Sequence, residues 1–250
     1  MKIRDEQMAV FRREAMRQFK DHTVDRLRSF APKHFVQPGK IGVRQAVNVG
    51  VERALAYGLT AQSAVHFYIE MMFILGSGFD RDPMFPWAGE ILNDPAIVSQ
   101  YEKTDRLFYK TSDYLNWSLG KSNEYYYNAL RRIRQEFLGA EIGLGSMRFE
   151  EYAAEWFFRM YPEKYAYAGD AVARIVAAQA AHEAMAHSIE SDRGCMVLGM
   201  LMFLLGSDVH NDPLHPWVND ALAKDAPLTS DERVAQLYEG GARALDYCVA

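Results

Sequence analysis

"MFILGSGFDRDPMFPW", residues 72–87, returns 130 positions later as "MFLLGSDVHNDPLHPW", residues 202–217. Phe73/Phe203, Leu75/Leu205, Gly76/Gly206, Ser77/Ser207, Asp82/Asp212, Pro83/Pro213, Pro86/Pro216 and Trp87/Trp217 coincide without a gap. Agreement at two prolines, a glycine and a tryptophan in one short window indicates an internal repeat. At the same shift the match runs back to Phe19 against Phe149, through Pro32/Pro162, Arg44/Arg174, Ala54/Ala184 and Leu59/Ile189. The sequence therefore predicts a duplication: residues 1–120 as a first helical lobe, 121–148 as a junction helix and glycine-containing linker, and 149–250 as a second lobe. "GAEIGLGS", the most glycine-rich stretch, marks the break.

Each half reads as helices. Between Ile41 and Tyr57, Val43, Val47, Val51, Ala54 and Leu55 recur at three- and four-residue intervals, the stripe of an amphipathic helix. Gly58 suits its C-terminus, and Thr60 is expected to cap the next helix, which Gly76 stops after Leu75. That second helix is apolar on nearly every side, as is its counterpart from Ser191 to Leu205, so the two should form the core. Tyr126, Ala129, Leu130, Ile133 and Phe137 place another helix across the junction. No two-residue alternation occurs. The expected fold is all-α, two lobes of roughly five helices each packed with a pseudo-two-fold relation.

The repeated motif has a structural task in this reading. After Gly76 the chain must turn. Asp82-Pro83 and then Pro86-Trp87 supply a stiff segment, because each proline fixes φ and biases its predecessor to extended geometry. Asp82 is expected to accept from neighbouring amides, Pro86 to open a short helix, and Trp87 to fold back on its lobe. Gly206, Asp212, Pro213, Pro216 and Trp217 repeat these roles.

Composition sets limits. A chain of 28.5 kDa with 49% hydrophobic residues can bury a sizeable core. The longest apolar run, Met196 to Leu205, is too short for a membrane span of roughly 20 residues. MKIRDEQMAVFRRE lacks the apolar core of a signal peptide, which leads to the expectation of a cytoplasmic protein with no membrane partner. Cys195 and Cys248 have no partners at metal-ligand spacing and are read as reduced. A net charge of −5 gives no reason to expect nucleic acid. That charge is unevenly spread: residues 1–58 carry twelve Lys/Arg against six Asp/Glu, and residues 208–250 carry three against eight.

Chemical motifs fail when each half controls the other. His210, Asp212 and His215 resemble metal ligands, but the first half offers Asp80, Asp82 and Phe85 at those places. Such a site would be private to the second half. His182 and His187 in "HEAMAH" stand five apart, whereas a zinc-protease helix needs four. "DRD" lacks the remaining ligands of a calcium loop. The expectation is no metal, no cofactor and no catalytic constellation.

The order "ERALAYGLT", "FYIEMMFILG", "FDRDPMFPWAGEIL" resembles a helical module in small accessory proteins encoded beside bacterial type VI secretion effector genes. It is also similar to the helical C-terminal lobe of adaptors that load effectors onto the secretion spike. Glu52, Tyr57, Gly58, Gly76, Phe79, Asp82, Pro83, Pro86 and Trp87 carry the resemblance, with a weaker copy at Ala184, Ser188, Gly206, Val209, Asp212, Pro213, Pro216 and Trp217. It implies a non-enzymatic protein-binding role toward an effector, toxin or spike component.

Three readings follow. The first is an effector chaperone or co-adaptor. The second is an immunity protein that neutralises a cognate toxin, the acidic second half meeting a basic nuclease. The third is an enzyme on an unfamiliar helical scaffold using His182, Glu183 and His187. For a protein partner, the candidate contact residues are Tyr125 and Tyr127 on the junction helix with Tyr165 and Tyr167, because tyrosine buries much area at modest entropic cost.

Overall fold

The computed structural model describes residues 5–249, and among them the fold is all-α, without a strand. Six helices make the N-terminal half: α1 (Asp5–Phe30), α2 (Pro32–Val36), α3 (Gly39–Ala56), α4 (Gln62–Leu75), α5 (Pro86–Asn93) and α6 (Gln100–Leu119). Helix α7 (Glu124–Arg132) runs into a π-helical turn, Ile133–Phe137, and residues 138–148 contain no helix. Six more helices follow: α8 (Phe149–Met160), α9 (Pro162–Ala168), α10 (Asp170–Ala186), α11 (Asp192–Leu205), α12 (Pro216–Leu222) and α13 (Ser230–Val249). Each half thus has six helices rather than roughly five. Charged and exposed aromatic residues along α1 and α6 obscure their apolar spacing in the sequence.

Boundaries recur at the 130-residue interval. Starts at Pro32, Gln62, Pro86 and Gln100 return at Pro162, Asp192, Pro216 and Ser230, and ends at Leu75 and Leu119 return at Leu205 and Val249. Proline opens α2, α5, α9 and α12, where its missing N–H costs nothing and its φ is already helical. The backbone bonds of the repeated turn also recur. Phe79 and Val209 donate to Gly76 and Gly206, both at 3.1 Å, and Phe85 and His215 donate to Asp82 and Asp212 at 2.9 and 3.0 Å.

Thr60 is not the cap of α4. Ala61 holds that position without a side-chain bond, and the amides of Thr60 and Ala61 both donate to Gln100 Oε1 at 2.8 Å. The orphan donors of one helix start are satisfied from the start of another, a partner forty residues away that local spacing does not reveal. In the C-terminal half Ser191 caps α11 through the Gly194 amide at 3.1 Å, and the Glu190 amide donates to Ser230, the counterpart of Gln100. These bonds set α4 beside α6, and α11 beside α13, start against start.

The core sits on α4 and α11. Tyr68, Ile69 and Met72, with Met196, Leu198 and Phe203, are fully buried. Each such aliphatic or phenyl side chain contributes about 1.5–3 kcal/mol by leaving water. Phe157 of α8 stacks on Phe203 at 4.5 Å, nearly parallel. Among the described residues no helix is long and apolar enough to cross a membrane. Cys195 is a free thiol; the side chain of Cys248 lies outside the described residues.

Candidate functional site

The repeated turns meet each other. Asp82 accepts from the Met84 amide of its own turn through Oδ1 at 2.8 Å, and from the Ser207 amide of the other turn through Oδ2 at 2.7 Å. Asp212 does the converse, accepting from Leu214 at 2.8 Å and from Ser77 at 2.9 Å. The expectation that these carboxylates serve their own turns is therefore only half the arrangement. Both are buried, and two amide donors each compensate the loss of water. Burial nonetheless raises the pKa of Asp82, against the amide bonds and the charge of Lys164. Lys164 is itself buried, donates to the Leu204 carbonyl at 3.1 Å, and lies 5.5 Å from the Phe203 ring centre. Burial lowers its pKa to about 8, with Asp82 opposing.

A belt of charge rims this contact. Arg53 of α3 donates to the Ser77 carbonyl at 2.6 Å and faces Asp80 at 3.6 Å and Asp208 at 3.8 Å, while Arg81 reaches Asp208 at 3.2 Å. Tyr57 donates to Asp80 at 2.9 Å, and burial with that carboxylate pushes its pKa up to about 12. At the counterparts of Arg53 and Asp80 stand Glu183 and His210, 3.7 Å apart; His210 also faces Asp208 at 3.7 Å. His187, 3.8 Å from Glu183, bonds the Leu222 carbonyl, whereas His182 is exposed. Arg53 and Arg81 each face both Asp80 and Asp208, so this part of the belt has the geometry of a clamp. Among the described residues no three His, Cys, Asp or Glu are grouped to hold a metal, the His210–Asp212–His215 set included.

The predicted partner residues separate. Trp87 is buried beside Phe85, but its indole N–H crosses to donate to the Tyr167 hydroxyl at 3.0 Å. Trp217 is half-buried and donates to Gln37 Oε1 at 3.1 Å; Gln37 is the position equivalent to Tyr167. The tryptophans thus join the halves as well as folding back. Tyr167 also packs on Tyr114 at 5.0 Å and so takes part in that junction. Tyr165 donates to Asp170 at 2.6 Å and packs on Phe158. Tyr125 and Tyr127 are exposed on α7, with Tyr126 half-buried between them in sequence.

A different surface gathers apolar side chains along two adjoining helices. Along α4, Phe67, Met71 and Ile74 recur at helical spacing, and along α6 Phe108, Thr111 and Leu115 do the same. Thr111 donates to the Met71 sulfur at 3.4 Å, which fixes the two rows side by side at one level. Met71 and Thr111 are buried between the helices, Phe67 and Leu115 are half-buried, and Ile74 and Phe108 are 38% and 53% exposed. Their counterparts Val197, Leu201, Leu204, Tyr238, Gly241 and Leu245 are not an open face. Together with Tyr126, Leu130, Ile133 and Phe137 they line a cavity of about 70 Å³ beneath α7 and the π turn. Sequence reasoning missed this strip, although the 130-residue shift carried past Trp217 already sets Phe108 on Tyr238 and Leu115 on Leu245.

Neither a protein-family model, a curated protein nor a solved structure matches the chain.

Proposed function

We propose that the chain is an internal duplication whose halves pack through a pseudo-two-fold contact, and that it is a non-enzymatic protein-binding accessory factor. In the setting that the sequence resemblance suggests, it is an effector chaperone or co-adaptor of a type VI secretion locus, holding an effector before delivery. The observation that carries the binding role is the exposed strip of Ile74 and Phe108, flanked by Phe67 and Leu115. Its counterpart in the C-terminal half is covered by the chain's own helix. Contiguous exposed apolar surface mostly marks an interaction site. The arginines of the charged belt fit the same reading, because Arg53 and Arg81 are already engaged by Asp80 and Asp208.

A second reading, an immunity protein, is favoured by the acidic end of the C-terminal half. Glu190, Asp192, Asp231 and Glu232 are exposed around the adjoining starts of α11 and α13, where the N-terminal half has Thr60, Gln62, Tyr101 and Glu102. Co-expression with the product of a neighbouring effector gene separates the two. A chaperone raises the soluble yield of the effector without relieving its toxicity, whereas an immunity protein restores growth. A stable complex in neither case removes both readings.

A further inference from the structure

The second copy of the strip shows what kind of body fits it. Over α11 and α13 lies an amphipathic helix whose Tyr126, Leu130, Ile133 and Phe137 follow one another at four, three and four residues. Besides apolar contact, that helix is held by charge. Arg134 pairs with Asp246, Glu136 with Arg159 at 2.6 Å, and Arg132 donates to the Met160 carbonyl at 3.4 Å. At the counterparts of Asp246 and Arg159 the N-terminal half has Asn116 and Ser29. The apolar rows are kept there and the two ion pairs that fasten the resident helix are absent.

We infer that the strip formed by Phe67, Met71 and Ile74 of α4 with Phe108 and Leu115 of α6 binds an amphipathic helix of a partner protein. That helix bears apolar residues at i, i+4, i+7 and i+11, laid along the strip as α7 and its π turn are laid on α11 and α13. This inference rests on the protein-binding reading and names the form of the partner. Helix-in-groove recognition draws affinity from such a row of anchors, and specificity from the flanks. The floor here keeps its mainly apolar character, although only Leu115/Leu245 is identical, while the charged flanks are lost, which suits an exchangeable helix rather than a permanent one. The chain's own α7 is not the occupant, because the bonds just described already engage it on the C-terminal half.

A fluorescent peptide of residues 121–140 serves as the probe, titrated into the full chain. Saturable binding is expected, weakened at least tenfold by Phe108→Asp or Ile74→Asp. Both residues are exposed, so circular dichroism and the melting temperature should be unchanged. Tyr109→Asp, on the same helix outside the strip and 68% exposed, should bind as the parent does. Binding that ignores Phe108→Asp and Ile74→Asp, or no binding, overturns the inference. So does a parent dimer that Phe108→Asp converts to monomer, since the occupant is then a second copy. If a neighbouring effector co-purifies equally with Phe108→Asp and the parent, the strip is not its seat although protein binding stands; if no effector binds the parent, the broader reading falls instead.

Discussion

Gly76 and Gly206 pack backbone against backbone at the junction of the halves: a side chain on Gly206 would lie 3.5 Å from the Gly76 Cα, and one on Gly76 would lie 2.5 Å from the Leu205 carbonyl oxygen. Both have positive φ, +99° and +115°. Any side chain at either position is strained, but only at Gly76 does it also collide with backbone. Gly76→Ala is expected to lower stability by about 3–5 kcal/mol and Gly206→Ala by about 1–3 kcal/mol. Urea unfolding of both variants checks the order; a Gly206→Ala loss equal to or larger than that of Gly76→Ala contradicts the geometry.

Removing Asp212 strands two buried amides, and removing Asp82 strands the buried Met84 amide and the half-buried Ser207 amide. Asp82→Ala and Asp212→Ala should each cost about 2–5 kcal/mol, since an unpartnered buried polar group costs about 1–3 kcal/mol. Asp82→Ala should be the worse, because it also strips the opposing charge from buried Lys164. Both carboxylates hold one contact, so the double variant is expected to lose less than the sum by about 1 kcal/mol or more. Strict additivity in a denaturant double-mutant cycle speaks against a shared clasp.

Lys164 gives the stability a pH dependence. Its pKa is about 8 in the folded protein against 10.5 as the ordinary value. Between those values the unfolded chain holds the proton and the folded chain does not, so stability rises with pH across this window and falls again as pH drops toward 8. Relative to Lys164→Met, which shares every tyrosine so that their ionisation near pH 10 cancels, the parent should gain on the order of 1–3 kcal/mol from about pH 8 to about pH 10. Parallel pH profiles for the two proteins are the outcome that removes Lys164 from this role.

The tryptophans should respond unequally. Trp87 is 9% exposed and Trp217 half-buried, so Trp87→Ala is expected to cost about 3–5 kcal/mol and Trp217→Ala about 2–3 kcal/mol. Trp217 also lies where a side chain on Gly240 would stand, 2.2 Å from the ring, so Gly240→Ala should displace the indole. A red-shifted tryptophan emission with reduced stability is the expected signature; unchanged fluorescence rules out the displacement.

What the sequence determined by itself is local. Apolar spacing in 41–57, 62–75 and 192–205 fixes amphipathic or buried helices, and Gly76, Pro83 and Pro86 fix a turn, because these effects act through φ and through burial of neighbouring residues. The chain therefore announces an all-α fold and the same turn twice. What only the tertiary structure decided is the partner of each group. Asp82 looks the same in sequence whether its second oxygen meets its own turn or the Ser207 amide, since a backbone amide has no side-chain signature. The indole of Trp87 likewise gives no sign that Tyr167 receives its proton. Phe108 and Tyr238 stand 130 residues apart on α6 and α13, yet one is exposed and the other lines a covered cavity. That difference comes from α7, which lies over only one of the two strips, and the burial of an apolar side chain depends on what is packed above it rather than on its own helix.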